Sequence, residues 1–237
     1  PRLLPAGLHR PASPAAAAES TPKDRSGTPA PVQIRRVDVD DQQQYDRLGT
    51  EAFGERPPGA PAPDPGVERS GRDAWAAFDR DGAMAARLAI YEYESWWHGS
   101  RLRTGGVSHV SVAAESRGDG ALRPMLAAAL DASVERGEAL STLFPTANGI
   151  YRGLGYELVS SLDTVEVPVA ELGRVAAPTR TRTRRATAAD IGAVKAVYDT
   201  WASAQNGPLT GTGPRFQRTD EELIDRVTAI TVAVTED

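Results

Sequence analysis

One short loop constrains this chain more than any other stretch: Glu115-Ser116-Arg117-Gly118-Asp119-Gly120. Before it runs a β-rich segment (107–113) with Val110 and Val112 on one face. After it comes an alanine- and leucine-rich segment (121–136) with an apolar stripe of Leu122, Met125, Leu126, Ala129, Leu130 and Val134. That stripe predicts a helix, with Pro124 tolerated near its first turn and Gly137 ending it. Glycines let backbone N–H groups converge on a ligand, and a helix N-terminus adds partial positive charge. A strand, a glycine loop and a helix in this order predict a phosphate cradle. The next strand is expected over 139–144. Pro145-Thr146-Ala147-Asn148 breaks it, and a short helix follows over 149–154.

The chain before the loop builds a sheet. Val32, Ile34, Val37 and Val39 suggest a first strand, and Asp40-Asp41 can cap a helix carrying Tyr45, Leu48, Ala52 and Phe53 on one side. The Pro/Gly-rich stretch 54–71 reads as a mobile loop and a candidate substrate lid. A strand over 75–80, the turn Asp81-Gly82 and a long strand over 83–97 form a hairpin. Leu88, Ile90, Glu92, Glu94 and Trp96 point one way along that strand, and Ala89, Tyr91, Tyr93 and Ser95 the other. His98-Gly99-Ser100 turns the chain, so His98 is read as a turn residue and His109 as packed or hydrogen-bonded within the sheet. A last strand is expected over 157–167, from Val159, Leu162, Val165 and Val167. The resulting fold class is α/β (α+β), a mixed β-sheet flanked by helices.

Four segments follow. Residues 1–30 are Pro-, Ala- and Ser-rich and read as a disordered leader. Residues 31–175 form the main domain, and 176–183 (AAPTRTRT) a linker. Residues 184–237 restart with a strand, then a helix whose apolar side is Val194, Val197, Tyr198 and Trp201. The pattern Thr219-Asp220-Glu221-Glu222 opens another helix, and a strand closes the run. This repeats the order of the chain's opening, which reads as the truncated start of a second, similar domain.

Charge and composition narrow the function. A net charge of −5 argues against nucleic acid as the main partner. No cysteine is present, so disulfides and thiolate chemistry are excluded. His9, His98 and His109 make no metal pattern, and no metal is expected. No apolar run approaches the ~20 residues that span a bilayer, and 1–30 lack a signal-peptide core. No membrane association is expected, and the cytoplasm is the default location, with secretion left open.

The run Val110-x-Val112-Ala113-x-x-x-Arg117-Gly118-x-Gly120-x-Leu122 resembles the acetyl-coenzyme A motif of the Gcn5-related N-acetyltransferase (GNAT) superfamily. Leu122 stands where that motif carries a small residue. The run Leu143-Phe144-Pro145-Thr146-Ala147-x-Gly149-Ile150-Tyr151-Arg152-x-Leu154-Gly155-Tyr156 resembles the Eis-type (enhanced intracellular survival) branch. So does Ala204-Gln205-Asn206-Gly207-Pro208-Leu209. The resemblance implies a centrally splayed sheet and a second GNAT-like domain. It also implies acetyl-CoA as donor and a cationic small-molecule amine, aminoglycoside-like, as acceptor. The alternatives are a protein lysine or N-terminal acetyltransferase, and a binding protein that holds acyl-CoA without turnover. Family members assemble as homohexamers.

The resemblance places the pantetheine arm on Val110, Ser111 and Val112. It places the pyrophosphate on the amides of Gly118, Asp119, Gly120, Ala121, Leu122 and Arg123, with Arg117 and Arg123 adding charge. Thr146 and Ala147 would flank the far end of the cofactor. Asp119 departs from the basic residue often found there. Tyr151 matches the general acid, since a phenol stays protonated at neutral pH. Tyr156 reads as a core aromatic. In Eis-type enzymes the general base is a C-terminal carboxylate from a third domain, so Asp237 does not inherit that role and the chain is expected to be a fragment, inactive alone. Glu55 and Glu51 sit where the family places an acidic substrate contact.

Overall fold

The structure is a computed structural model that describes residues 32–55, 70–145, 147–161, 164–174, 176, 180–225 and 227–235. The expected leader, most of the expected lid, Thr146, Leu162 and Asp237 lie outside the described residues. In chain order the first part holds β1 (Gln33–Arg36), α1 (Gln42–Phe53), β2 (Arg72–Phe78), β3 (Met84–Trp97) and β4 (Ser100–Val112). A 3-10 turn (Ala114–Ser116), α2 (Leu122–Glu135), β5 (Leu140–Thr142), α3 (Asn148–Arg152) and α4 (Val169–Leu172) follow. The later part holds β6 (Thr181–Arg185), α5 (Ile191–Ser203), α6 (Asp220–Asp225) and β7 (Thr231–Thr235).

β3 and β4 are the two longest strands and form the spine of a five-stranded sheet ordered β1-β2-β3-β4-β5. They are joined by the two-residue turn His98-Gly99, with φ of 49° and 75°. Two positive φ values are what a type I′ turn needs to match the strand twist. The β1–β2, β2–β3 and β3–β4 pairs are antiparallel, and β4–β5 is parallel. The β2–β3 turn is held by the Asp79 carboxylate, which accepts from the backbone N–H groups of Asp81 and Ala83 at 2.9 Å each.

The alternation expected along β3 holds. Leu88 and Ile90 face α2, where they pack with Ala77, Ala86, Val107, Met125, Leu126 and Ala129. On the opposite face, Tyr45 and Leu48 of α1 cover Ala76, Phe78, Met84 and Ala113. An ionic knot ties the layers together. Arg136, just after α2, donates to Asp73 of β2 at 2.5 Å and to Glu138 at 3.2 Å, while Arg36 of β1 donates to Asp73 at 2.8 Å.

Several expectations are corrected. Residues 157–161 and 164–168 are not a strand: Val159 and Val165 are 82% and 79% exposed. Their apolar positions do not keep a period of two, and β5, three residues long, offers too short an edge to pair with. Val134 is 71% exposed, because the buried stripe of α2 passes through Ala132 and Ser133 and the next position turns about 100° away. Asp41 does not cap α1. Its carboxylate is taken by Arg35 and by the backbone N–H of Asp38. The strand expected over 75–80 spans Arg72–Phe78, and β6 begins at Thr181, inside the expected linker.

In the later part, β6 and β7 form a two-stranded antiparallel sheet. Thr219 and Glu222 make the expected capping box. The apolar side of α5 is not covered: Val197 and Trp201 are 72% and 56% exposed, since a two-stranded sheet has too little surface to bury it. The segment before α6 is zipped to β3 instead. The Trp96 N–H donates to the Pro208 carbonyl, and those of Gly207 and Thr210 donate to the carbonyls of Trp96 and Glu94. Among the described residues no helix is long and apolar enough to cross a membrane.

Burial works against ionisation of Asp73, but Arg36 and Arg136 outweigh it and hold the carboxyl below its ordinary value of 3.8. Its contribution is therefore complete above that pH and lost as the pH falls further. Asp73→Asn is expected to destabilise the fold by about 1–3 kcal/mol at pH 7 in urea unfolding. The gap to the native chain should close below pH 3.8, and a gap that persists unchanged in acid would contradict this role.

Candidate functional site

The site begins where the sheet stops being continuous. β4 pairs with β5 only through Thr104, Gly105 and Gly106, opposite Leu140, Ser141 and Thr142. On its other side β4 stays paired with β3 as far as Val112. On the β5 side residues 107–112 therefore have no strand partner among the described residues. An unpaired edge of this kind presents N–H and C=O groups to whatever lies beside it.

This open edge runs directly into the glycine loop. Gly118 and Gly120 have φ of 91° and 84°, values that side-chain-bearing residues rarely adopt. The N–H groups of Ser116 and Asp119 bond back to the carbonyls of Ala113 and Ser116. Those of Gly118, Gly120, Ala121, Leu122 and Arg123 reach no backbone acceptor among the described residues. Several amides with no backbone acceptor among the described residues therefore sit at the N-terminus of the 14-residue α2. A Cβ on Gly153 would come within 3.6 Å of the Arg123 guanidinium, so the first turn of α2 lies against the end of α3.

Tyr151, on α3, is buried in the layer that contains Val107, Ala121 and Met125, with Val110 and Val112 packed against it. Burial raises its pKa above 10.0, so the hydroxyl keeps its proton at neutral pH. Tyr156 stacks edge-on to it at 6.0 Å and shares a 2.5 Å hydrogen bond with Ser141, which fits the reading of a core aromatic. No described residue takes the Tyr151 hydroxyl. Ala147, just before α3, is exposed.

A second cluster lies on the other face of the same strand. The β3–β4 register slips between Arg87 and Ala89, and there His109 adopts a φ of 57°. This is a β-bulge, a device that re-aims side chains. The His109 ring nitrogens lie 3.4 Å from the hydroxyls of Tyr45 and Tyr91, so a neutral imidazole can donate to one and accept from the other. Arg87 is buried beneath. It donates to the Tyr45 carbonyl at 2.6 Å and the Ser111 hydroxyl at 3.1 Å and stacks 4.3 Å from the Tyr45 ring. A Cβ on Gly49 of α1 would collide with this guanidinium, so glycine lets the helix close over it. Arg72 sits 5.3 Å from the Tyr45 ring and Arg215 only 3.9 Å from the Tyr91 ring.

Burial and then the charges of Arg87, Arg72 and Arg215 lower the His109 pKa from 6.5 to about 4, with Asp46 opposing them. Burial pushes Tyr45 up to about 12, against the pull of Arg87 and Arg72. Both groups are thus neutral at pH 7.

One apolar layer joins Val110, Val112, Ala121, Leu122 and Tyr151, Arg123 lies against the end of α3, and the Ser111 hydroxyl is held by Arg87 on the opposite face. Asp119, half-buried, sits in the loop as expected. The structure does not gather acid there from α1: Glu51 faces solvent in an ion pair with Arg47 at 2.8 Å, and Glu55 is exposed at the last described position before the gap. Sequence reasoning missed the cluster of Tyr45, Arg72, Arg87, Tyr91 and Arg215. One signal was present, a lone charged residue inside the apolar run Ala85-Ala86-Arg87-Leu88-Ala89-Ile90.

Residues 33–159 match the family model described as an acetyltransferase (GNAT) domain. The chain is also similar in structure to a GCN5-related N-acetyltransferase from Kribbella flavida (22% identity, TM-score 0.60, covering 85% of this chain and 52% of that one). A GCN5-related N-acetyltransferase from Anabaena variabilis ATCC 29413 matches at 19% identity and a TM-score of 0.58, covering 78% and 46%. A conserved Enterococcus faecalis V583 protein, described as a probable N-acyltransferase, matches at 17% and 0.57, covering 76% and 46%. These likenesses show a shared fold, and the chain spans about half the length of each of the three. No curated protein matches.

Because the folded His109 value of about 4 lies below the ordinary 6.5, the unfolded chain takes up this proton first as the pH falls. Stability held above pH 6.5 should therefore be lost progressively down to about pH 4. His109→Gln should remove that component from unfolding curves taken at stepped pH. The native imidazole should titrate near 4 by NMR, and a midpoint at 6.5 would mean that the ring is solvated.

Proposed function

This chain belongs to the GNAT acetyltransferase family, and from that premise we propose that it transfers the acetyl group of acetyl-CoA to a primary amine. The observation that carries the reading is the open edge of β4, residues 107–112, which ends in a loop of unclaimed amides at the start of α2. This combination fits an extended amide-bearing arm followed by a pyrophosphate. The backbone of Val110, Ser111 and Val112 would hold the arm. The amides of Gly118, Gly120, Ala121, Leu122 and Arg123 would hold the pyrophosphate, with the Arg117 and Arg123 side chains adding charge-assisted bonds. Asp119 belongs to the same loop. Thr146 and Ala147 complete the expected contact set.

Bound acetyl-CoA supplies an activated acetyl thioester. The contribution of this chain is to orient it, to exclude water on the α2 face, and to hold a proton at the Tyr151 hydroxyl. A phenol with its pKa raised by burial remains a donor across the neutral range, which suits protonation of a departing sulfur. Placement in the Eis-type branch rests on the two runs from Leu143 to Tyr156 and from Ala204 to Leu209, and assembly into homo-oligomers belongs to the same proposal. A polycationic acceptor drawn by Glu51 and Glu55 has weak support, because Arg47 already engages Glu51 and the groups gathered at the β4 bulge are guanidiniums.

Calorimetry with acetyl-CoA and a thiol-release assay over an amine panel test the proposal. Tyr151→Phe should cut turnover by about 100-fold or more with acetyl-CoA affinity unchanged. An unchanged rate would remove Tyr151 as the acid. Gly120→Val should weaken acetyl-CoA binding in the same calorimetry, through the φ of 84° and the crowded amides. Full affinity in that variant would move the cofactor elsewhere, and binding without thiol release from any amine would leave a non-catalytic acyl-CoA-binding protein.

A further inference from the structure

The side chains gathered at the β4 bulge carry information about the acceptor. Tyr45, Arg72, Arg87, Tyr91, His109 and Arg215 come from α1, β2, β3, β4 and the 3-10 turn Pro214–Phe216. They converge because each guanidinium lies over an aromatic ring: Arg72 and Arg87 over Tyr45, and Arg215 over Tyr91. His109 contacts both rings, at 6.3 Å and 5.7 Å. The chain as a whole is acidic, at −5, yet three cations collect on this side of the strand. We propose that the acceptor amine carries an oxyanion, a carboxylate or a phosphate, and that Arg72 and Arg215 hold it beside His109. The proposal rests on the acetyl-transfer reading above and names the substrate class for that site.

Four points support it. A guanidinium laid on an aromatic face directs its N–H edges sideways, the planar fork that carboxylates and phosphates match. The partner described for Arg72 is the neutral Gln42 side chain at 3.4 Å, a long bond that an oxyanion readily replaces. Arg87 forms no ion pair among the described residues and is committed to the Tyr45 carbonyl and Ser111, so it acts as a fixed positive charge below the site. A polycation placed here would face the guanidiniums of Arg72, Arg87 and Arg215, which the carboxylate of Asp46 offsets only in part. The bulge also lies within residues 107–112, the stretch of β4 assigned to the acetyl donor, so an acceptor anchored here is beside the donor.

The test uses four amines that differ in charge: β-alanine, O-phosphoethanolamine, ethanolamine and spermidine. In the thiol-release assay one of the two oxyanion amines should exceed ethanolamine and spermidine in kcat/KM by at least tenfold. The better of the two identifies the oxyanion. Arg72→Gln and Arg215→Gln should each reduce that value at least tenfold and narrow the gap to ethanolamine. A second readout needs no turnover. By NMR the preferred oxyanion amine should raise the His109 titration midpoint in the native chain and leave it unmoved in Arg72→Gln. Spermidine as the best acceptor, or variants that keep the native ranking, would overturn the proposal. If no amine releases thiol, the acetyl-transfer reading fails, and the His109 midpoint alone then decides: a shift with an oxyanion amine sustains the binding site, and no shift overturns it.

Discussion

The early loss of hydrogen bonding between β4 and β5 governs the rest of this molecule. A β-strand whose polar backbone is left unpaired on one side must be hydrated, covered or filled by a ligand. Here the pairing ends after three residues, because Leu143-Phe144-Pro145 leaves the sheet while β4 continues to Val112. β3 stays paired with β4 as far as Val112, across the bulge at His109, so β4 is held on one side where it is open on the other. The layers on the two faces then acquire separate tasks. α2 and α3 line the face that carries the free amides and Tyr151, and α1 closes the face that carries the bulge.

The two faces also differ electrostatically. The open-edge face uses dipoles: amides at a helix start, with Arg117 and Arg123 beside them. The bulge face uses whole charges, with Arg87 at their centre. A buried arginine is costly unless its donors are occupied. Two hydrogen bonds and the Tyr45 ring offset that cost, and Gly49 removes the one atom that would prevent α1 from approaching. The positive φ of His109 is a further local strain that the flanking pairs hold in place.

Local features were legible from residue order. The glycine loop, the alternation of Leu88 and Ile90 against Tyr91, and the His98-Gly99 turn each depend on neighbours within a few positions. The strand expected over 157–167 failed because a strand also needs an edge to join, and the shortness of β5 is not written in that segment. Val134 failed because the buried stripe runs through Ala132 and Ser133 and carries the next position out of the core. The cluster around His109 was not readable at all as a pattern, since its members come from separate elements and share no period. Only Arg87, charged within an apolar run, marked the place.

The zipper between residues 207–210 and β3 has a consequence for inheritance. It delivers Arg215 onto Tyr91 from a part of the chain that contributes nothing to the glycine loop or to Tyr151. One wall of the bulge cluster, Arg215, is thus encoded far downstream of the rest. Substitutions after Gly207 can therefore alter the surroundings of Tyr91 and His109 while the glycine loop and Tyr151 stay as they are.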